Sequence, residues 1–234
     1  MANKIHYILT DIEGTTTAID FVHKILFPYA AKHLASFLQQ PQPQDIQTTI
    51  EAALTQVKET ILAETTDTET SLERCLKHLE RWIETDRKHP ALKTIQGMIW
   101  RIGYENGDFK GHIYDDVLPA LTHWREQGIQ LGIYSSGSVA AQKLLFGNLP
   151  EGNITPLFAH NFDTKVGHKQ DVTSYQNIAK QLTINPENIL FLSDVEAELH
   201  AANQALMQTI QLVRENTIPS KQFRTVADFS EITF

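Results

Sequence analysis

Patterns typical of strands and of helices alternate along the sequence from residue 117 onward, and this alternation constrains the fold more than any other feature. Short runs rich in β-branched and aromatic residues lie at 5–10, 129–134, 157–162, 188–193 and 209–213. Helical patterns separate the later runs, at 139–146, 171–182 and 196–206. Such alternation is typical of a parallel sheet with helices on both faces. The sequence therefore predicts an α/β fold built on a doubly wound parallel sheet.

A block of purely helical periodicity follows the first strand pattern. Its apolar residues recur at spacings of three and four, over 45–63, 69–87 and 90–105. A chain of 234 residues has room for one α/β domain that carries such an insertion. We therefore predict an α/β core domain formed by residues 1–19 and 110–234, with a helical domain at 20–109 inserted after the first strand.

Charge and hydropathy narrow the classes of partner. The net charge is −8 and no run of Lys and Arg is interleaved with aromatic residues, so we expect no nucleic-acid partner. No segment is long and apolar enough to span a membrane, and the first residues lack the pattern of a secretory signal, so we expect no membrane partner. The single cysteine, Cys75, is expected to be a half-buried packing residue. We expect a monomer in a reducing cytoplasm.

Two acidic residues follow the first predicted strand. In an open parallel sheet the ligand site lies beyond the carboxyl ends of the strands, so the sequence DIEGT is well placed for chemistry. The carboxylate of Asp11 can attack phosphorus and form an acyl phosphate. Glu13 can protonate the leaving oxygen and then activate water. Taken alone, the same residues are equally typical of an acidic loop that caps the next helix.

Three later strand ends also carry polar residues. Ser135 and Ser136 offer hydroxyl and backbone donors ahead of a predicted helix, an arrangement that suits an anion but is also typical of helix capping. Lys169 carries a positive charge that can neutralise a phosphate, and Lys165 is the alternative cation for this role. Asp194 can complete an oxygen-rich Mg²⁺ site. Each charge alone is typical of a solvated surface, but their order along the chain favours one phosphoryl-transfer site.

This order of motifs resembles the haloacid-dehalogenase superfamily of phosphatases. Within it, DIEGTT, YSSGSVAAQKLLFG, FDTKVGHKQDVTSY and NILFLSDVEAEL resemble the enolase-phosphatases of methionine salvage, as does RKHPALKTIQGMIW. The similarity covers nearly the whole chain and is weakest at about residues 40–70. It implies that the helical block is the superfamily's cap domain, which would exclude water from the site.

The resemblance also implies roles for the acidic residues. Asp11 would be the nucleophile and a metal ligand, and Asp194 would ligate the same metal. Glu13 would be the acid/base and would bind the metal through its main-chain carbonyl. One Mg²⁺ per chain is implied as the cofactor.

The remaining residues would bind the substrate. Ser135 and Ser136 would hold the phosphate, and Lys169 would balance its charge and take part in catalysis. The implied substrate is 2,3-diketo-5-methylthiopentyl 1-phosphate, which is enolised and then dephosphorylated to 1,2-dihydroxy-3-keto-5-methylthiopentene.

Two other functions stay open on the sequence. One is a capped phosphatase of the same superfamily that acts on another small phosphate ester. The other is a receiver module that accepts a phosphoryl group on Asp11, although such a module needs no large helical insertion.

Overall fold

The computed structural model describes residues 4–66 and 70–233. Residue 69, where one predicted helix begins, lies outside these ranges, as do the ends of the predicted core domain at 1–3 and 234. The chain divides into two compact units. One runs up to Phe21 and resumes at Lys110, and the other comprises Val22–Phe109.

The first unit is built on a parallel sheet of six strands within the described residues. The strands are β1 (Tyr7–Thr10), β2 (Gln130–Tyr134), β3 (Phe158–Phe162), β4 (Ile189–Ser193), β5 (Gln208–Leu212) and β6 (Arg224–Val226). Their order across the sheet is β3-β2-β1-β4-β5-β6. The predicted α/β fold is confirmed. Strand β6 was not predicted, because three residues are too few to show a pattern.

Helices connect the strands and form the second unit. They are α1 (Ile19–Phe21), α2 (Phe27–Gln39), α3 (Gln44–Glu64), α4 (Leu72–Glu84), α5 (Pro90–Asn106), α6 (Val117–Glu126), α7 (Val139–Gly147), α8 (Val172–Leu182) and α9 (Glu196–Gln204). Short 3₁₀ turns lie at Thr155–Leu157, Pro186–Asn188 and Phe229–Glu231. The sequence predicts one helix to about residue 38, but Val22–Leu26 forms a π-helical segment instead.

Every residue of β1 is buried, as is typical of a central parallel strand covered on both faces. On one face of the sheet, Tyr7 and Leu9 share a core with Tyr134 of β2 and Phe191 of β4. The core is packed closely enough that a Cβ at Gly132 would collide with the Tyr7 hydroxyl. The central strand that carries the first acidic motif is therefore held rigidly.

The helical unit has a core of its own. Helix α4 buries one stripe, in which Cys75 is fully buried rather than half-buried as expected, because it faces this core. The Ser71 hydroxyl caps α4 by accepting a hydrogen bond from the Arg74 N–H. Helix α5 ends at Gly107, whose φ of +74° is the left-handed conformation common at helix ends. That this unit acts as a cap domain stays a prediction.

The register of the sheet brings the chemical motifs to one edge. Thr10, the last residue of β1, lies opposite Ile133 of β2 and Leu192 of β4. The residues that follow these three strands therefore emerge side by side. The strand order also reverses direction at β1, and ligands of open α/β sheets bind at such a switch point. None of the helices in the described ranges has the length and hydropathy of a transmembrane segment.

Candidate active site

The loop after β1, residues 11–17, is called the first loop here and is folded tightly back on itself. The Asp11 N–H donates to the Leu192 carbonyl, which extends the pairing with β4 to the first acidic residue. The Ile12 carbonyl then accepts hydrogen bonds from the N–H groups of Thr15, Thr16 and Thr17. Such a compact turn needs a residue in the left-handed conformation, and Gly14 supplies it with φ +76°.

Asp11, Lys169 and Glu198 form a buried charge cluster. The Lys169 Nζ lies 2.6 Å from Asp11 Oδ1 and 2.7 Å from Glu198 Oε2. All three side chains are at most 10% exposed. Ser193 donates a further hydrogen bond to Glu198 Oε2 at 3.0 Å, and the Tyr175 hydroxyl donates to the Lys169 carbonyl at 2.6 Å. Lys169 is thus fixed beside the carboxylate that the sequence predicts to be the nucleophile.

Burial and charge oppose each other in the pKa values of this cluster. Burial alone would lower the pKa of Lys169, but the charges of Asp11 and Glu198 outweigh it, and the pKa is raised. Burial, followed by the charge of Asp11, raises the pKa of Glu198, and Lys169 opposes that rise. The lysine therefore stays an ammonium group across the physiological range.

The SSGS loop, residues 135–138, begins directly after β2. Ser135 is fully buried, and its hydroxyl donates to Glu13 Oε2 at 3.1 Å and accepts from the Gly137 N–H at 3.0 Å. Ser138 caps α7 by accepting from the Ala141 N–H. Ser136 lies between them in the same loop. The Glu13 side chain thus points toward the SSGS loop.

Asp194 follows β4 and is bonded to the first loop. Its N–H donates to Thr15 Oγ1 at 3.0 Å, and the Thr15 hydroxyl lies 3.4 Å from Asp194 Oδ1. Burial and then the charge of Asp11 raise the pKa of Asp194 to about 6. The same two causes raise the pKa of Glu13. The charge of Asp11 therefore raises the pKa values of two other carboxyl groups, Asp194 and Glu13.

The oxygen donors of this edge fit a magnesium ion. The described residues contain no group of three or more His, Cys, Asp or Glu side chains around one point that would form a complete protein cage. Mg²⁺ does not require one, because it binds one or two carboxylates and keeps waters or substrate phosphate as its other ligands. Asp11 supplies a buried carboxylate and Asp194 a half-buried one, and among the described residues Asp11 Oδ1 has no hydrogen-bond partner beyond its ion pair with Lys169.

Gly14 is tightly enclosed by this site, and we expect Gly14→Ala to weaken Mg²⁺ binding. A Cβ at residue 14 would collide with the Asp194 carboxylate, and the φ of +76° disfavours alanine. Displaced supporting groups typically cost about 10- to 100-fold in metal affinity. Gly128→Ala is the matched control, since Gly128 has φ +82° but no described residue lies within 4 Å of the added methyl group. Calorimetric Mg²⁺ titrations that gave equal affinities for the two variants would contradict this account.

Arg214, which the sequence analysis did not single out, braces the first loop. Its side chain donates from Nε and Nη2 to the Thr15 carbonyl, at 3.3 and 3.2 Å. It also forms a two-pronged ion pair with Asp116, at 3.0 and 2.7 Å. The sequence does offer one indication of this role: Arg214 lies just after β5, and the end of β5 is next to the strand end that carries Asp194.

The structure brings the predicted site residues together at one edge of the sheet. Asp11 contacts Lys169, Glu13 contacts Ser135, and Asp194 contacts the loop that carries Asp11 and Glu13. The rival cation, Lys165, is exposed, and its N–H is bonded to Asp163. The arrangement can present a carboxylate nucleophile, an ammonium group and hydroxyl donors to one phosphoryl group.

Comparison with known proteins places this chain among hydrolases. The sequence profile of the haloacid dehalogenase-like hydrolases matches residues 5–205. Enolase-phosphatase E1 of a Picosynechococcus species is 50% identical over 231 residues, which cover 98% of each chain. Enolase-phosphatase E1 of Klebsiella pneumoniae is 51% identical over 228 residues, covering 97% of this chain and 96% of the relative.

Solved structures share the fold. The UTR4 protein of Saccharomyces cerevisiae superposes with a TM-score of 0.79 at 30% identity, over 98% of this chain and all of that one. CbbY of Rhodobacter sphaeroides in complex with phosphate superposes with a TM-score of 0.61 at 14% identity, over 97% of this chain and 96% of that one. The second likeness concerns the fold alone.

Proposed function

This chain belongs to the haloacid dehalogenase-like hydrolases and, within them, to the enolase-phosphatases, and on that basis we propose that it converts 2,3-diketo-5-methylthiopentyl 1-phosphate to 1,2-dihydroxy-3-keto-5-methylthiopentene and phosphate. The family that the sequence motifs resemble is thereby confirmed. The chain is an enzyme that acts on a phosphorylated small molecule. The substrate, the Mg²⁺ and the roles of single residues are our proposals.

Asp11 is the proposed nucleophile. One of its carboxylate oxygens attacks phosphorus as the bond between phosphorus and the substrate oxygen breaks, and an aspartyl phosphate forms. Lys169 lies 2.6 Å from Asp11, so its charge is in place to balance the phosphoryl oxygens. Ser135 and Ser136 on the SSGS loop hold the same phosphoryl group.

Glu13 is the proposed acid and base. Its raised pKa favours the protonated form that the first step needs, in which it gives a proton to the departing substrate oxygen. As a carboxylate it then takes a proton from the water that attacks the aspartyl phosphate, and Asp11 is released with inorganic phosphate. The enolisation that precedes these steps moves a proton from carbon to oxygen.

The metal is expected to be held by the carboxylates of Asp11 and Asp194 and by the main-chain carbonyl of Glu13. When bound, Mg²⁺ supplies positive charge to the phosphoryl oxygens and to the enolising carbonyl. The Glu13 side chain points toward Ser135, which leaves its main-chain carbonyl as the group to face the metal. Arg214 and Thr15 support this side of the site through their hydrogen bonds.

The observation that carries the proposal is the buried ion pair between Asp11 and Lys169 beside further carboxylates. We expect phosphate release with Mg²⁺ and a loss of about 100-fold or more when a chelator removes the metal. The diketone phosphate should yield a conjugated product that is followed by its absorbance, together with phosphate. A panel of sugar and acid phosphates is the control.

Different results would exclude different parts of the proposal. Phosphate release at equal rates from the whole panel would rule out the assigned substrate in favour of a general phosphatase. A phosphorylated Asp11 that persists without turnover would favour a receiver module. Turnover that is unchanged by chelation would contradict the role of the metal.

A further inference from the structure

A buried glutamine holds the SSGS loop, and the mechanism above does not use it. Gln142 lies in α7 and is 1% exposed. Building on the function proposed above, we propose that Gln142 is a positioning residue that sets the geometry of the SSGS loop for binding the substrate's phosphoryl group.

Every polar group of the Gln142 side chain is engaged. Its Nε2 donates to the Gly137 carbonyl at 3.0 Å and to the Phe162 carbonyl at 2.8 Å. Its Oε1 accepts from Asn161 Nδ2 at 3.0 Å. The two carbonyl acceptors fix the orientation of the amide, because a flipped amide would set its oxygen against both carbonyl oxygens. Gln142 therefore ties the SSGS loop to the end of β3.

The same contacts fix the position of Ser135. The Ser135 N–H donates to the Phe162 carbonyl at 3.2 Å, so Ser135 and Gln142 share one acceptor. The Gly137 N–H donates to the Ser135 hydroxyl at 3.0 Å, while the Gly137 carbonyl accepts from Gln142. The loop is thus held from both sides of Gly137.

The geometry of the peptide bond gives these contacts a consequence for anion binding. A carbonyl and the N–H that follows it point in opposite directions in a planar trans peptide. Because the Gly137 carbonyl faces Gln142, the Ser138 N–H faces away from Gln142. Without Gln142 this peptide would be free to turn and to bring a carbonyl oxygen toward the bound anion, which would repel it.

We expect Gln142→Met, which keeps the approximate size but removes the hydrogen bonds, to weaken phosphate binding about tenfold. Calorimetry with inorganic phosphate in the presence of Mg²⁺ measures this directly. The KM of the substrate should rise by a similar factor with a smaller change in kcat, because the loop contacts the phosphoryl group before and during the reaction.

Two further variants separate positioning from general stability. Leu145→Ala removes buried volume from the same helix and none of the hydrogen bonds that hold the loop, so it should lower the melting temperature and leave phosphate affinity unchanged. Asn161→Asp replaces the donor to Gln142 Oε1 with an acceptor, so it should favour the flipped amide and weaken phosphate binding even if Gln142→Met does not fold.

The proposal is overturned if Gln142→Met binds phosphate as the wild type does, or if Leu145→Ala weakens binding as much. Unchanged phosphate binding by a folded Asn161→Asp would also count against it. These outcomes are distinct from a failure of the proposed function, which would be seen as a lack of turnover of the diketone phosphate by the wild type.

Discussion

Asp11→Asn should abolish phosphate release while leaving the fold intact. The side chain keeps its shape, but an amide lacks the charged oxygen that attacks phosphorus, and loss of a nucleophile costs at least about 1,000-fold in kcat. The melting temperature should not fall much, because Lys169 keeps its ion pair with Glu198 and because the exchange removes the charge that raises the pKa values of Glu13 and Asp194. Single-turnover assays on the diketone phosphate measure the loss.

A matched exchange elsewhere in the same unit tests whether the effect is local. Asp115 is exposed, so Asp115→Asn changes the net charge by the same amount and should retain full activity. Protein labelled by radioactive substrate should carry an acid-stable, base-labile phosphoryl group at residue 11 in the wild type alone. Residual turnover of Asp11→Asn at a tenth of the wild-type rate or more would overturn the covalent mechanism.

Lys169→Met should damage both catalysis and stability. Removal of one preorganised charge partner costs about 100- to 1,000-fold in kcat. The exchange also leaves Asp11 and Glu198 buried without their shared cation, which typically costs about 3 kcal/mol of the free energy of unfolding. Denaturant titrations at several pH values measure that loss.

The sign of the pH dependence follows from the pKa shifts. In the wild type the pKa of Lys169 is raised in the folded state, so its contribution to stability is complete below the unfolded value of about 10.4 and is lost only at higher pH. In the variant, Glu198 keeps a raised pKa because it remains buried, so protonation favours the folded state. The difference in the free energy of unfolding between the wild type and Lys169→Met should therefore be smaller at pH 5 than at pH 8.

Lys165→Met is the control for this exchange. Lys165 lies in the same segment but is exposed, so its loss should leave both kcat and the unfolding free energy nearly unchanged. Equal effects of the two exchanges would mean that the buried ion pair has no special role. A pH-independent difference in stability would contradict the assignment of charges to Asp11 and Glu198.

The sheet was predictable because its strands carry a periodicity that differs from that of helices. Strand β4 is apolar as far as Ser193 and follows a turn, and β2 follows the end of α6 at a glycine, so both were placed to within a residue or two. The π-helical segment at Val22–Leu26 was not predictable, because its pattern of side chains is that of an ordinary helix. Strand β6 depends on pairing with β5 rather than on its own sequence.

Part of the site was also predictable from the sequence, because it follows from the topology of a parallel sheet. Residues at strand ends in a parallel sheet must meet, and this rule found Asp11, Ser135 and Asp194 without coordinates. It did not find Gln142, which lies inside a helix and acts on the loop before it. Nor does it identify the bonds of Arg214 to the Thr15 carbonyl, since sequence carries no signal for a main-chain acceptor.

The central place of β1 in the sheet has a consequence for biosynthesis. Tyr7 is translated well before its neighbours in the sheet, Gln130 and Ile189. The first strand must therefore wait for most of the chain to be translated, while the intervening helices have only local contacts to make. A ribosome-bound fragment that ends before β2 should contain a folded helical segment and a first strand that has no partner in the sheet and is therefore prone to aggregate.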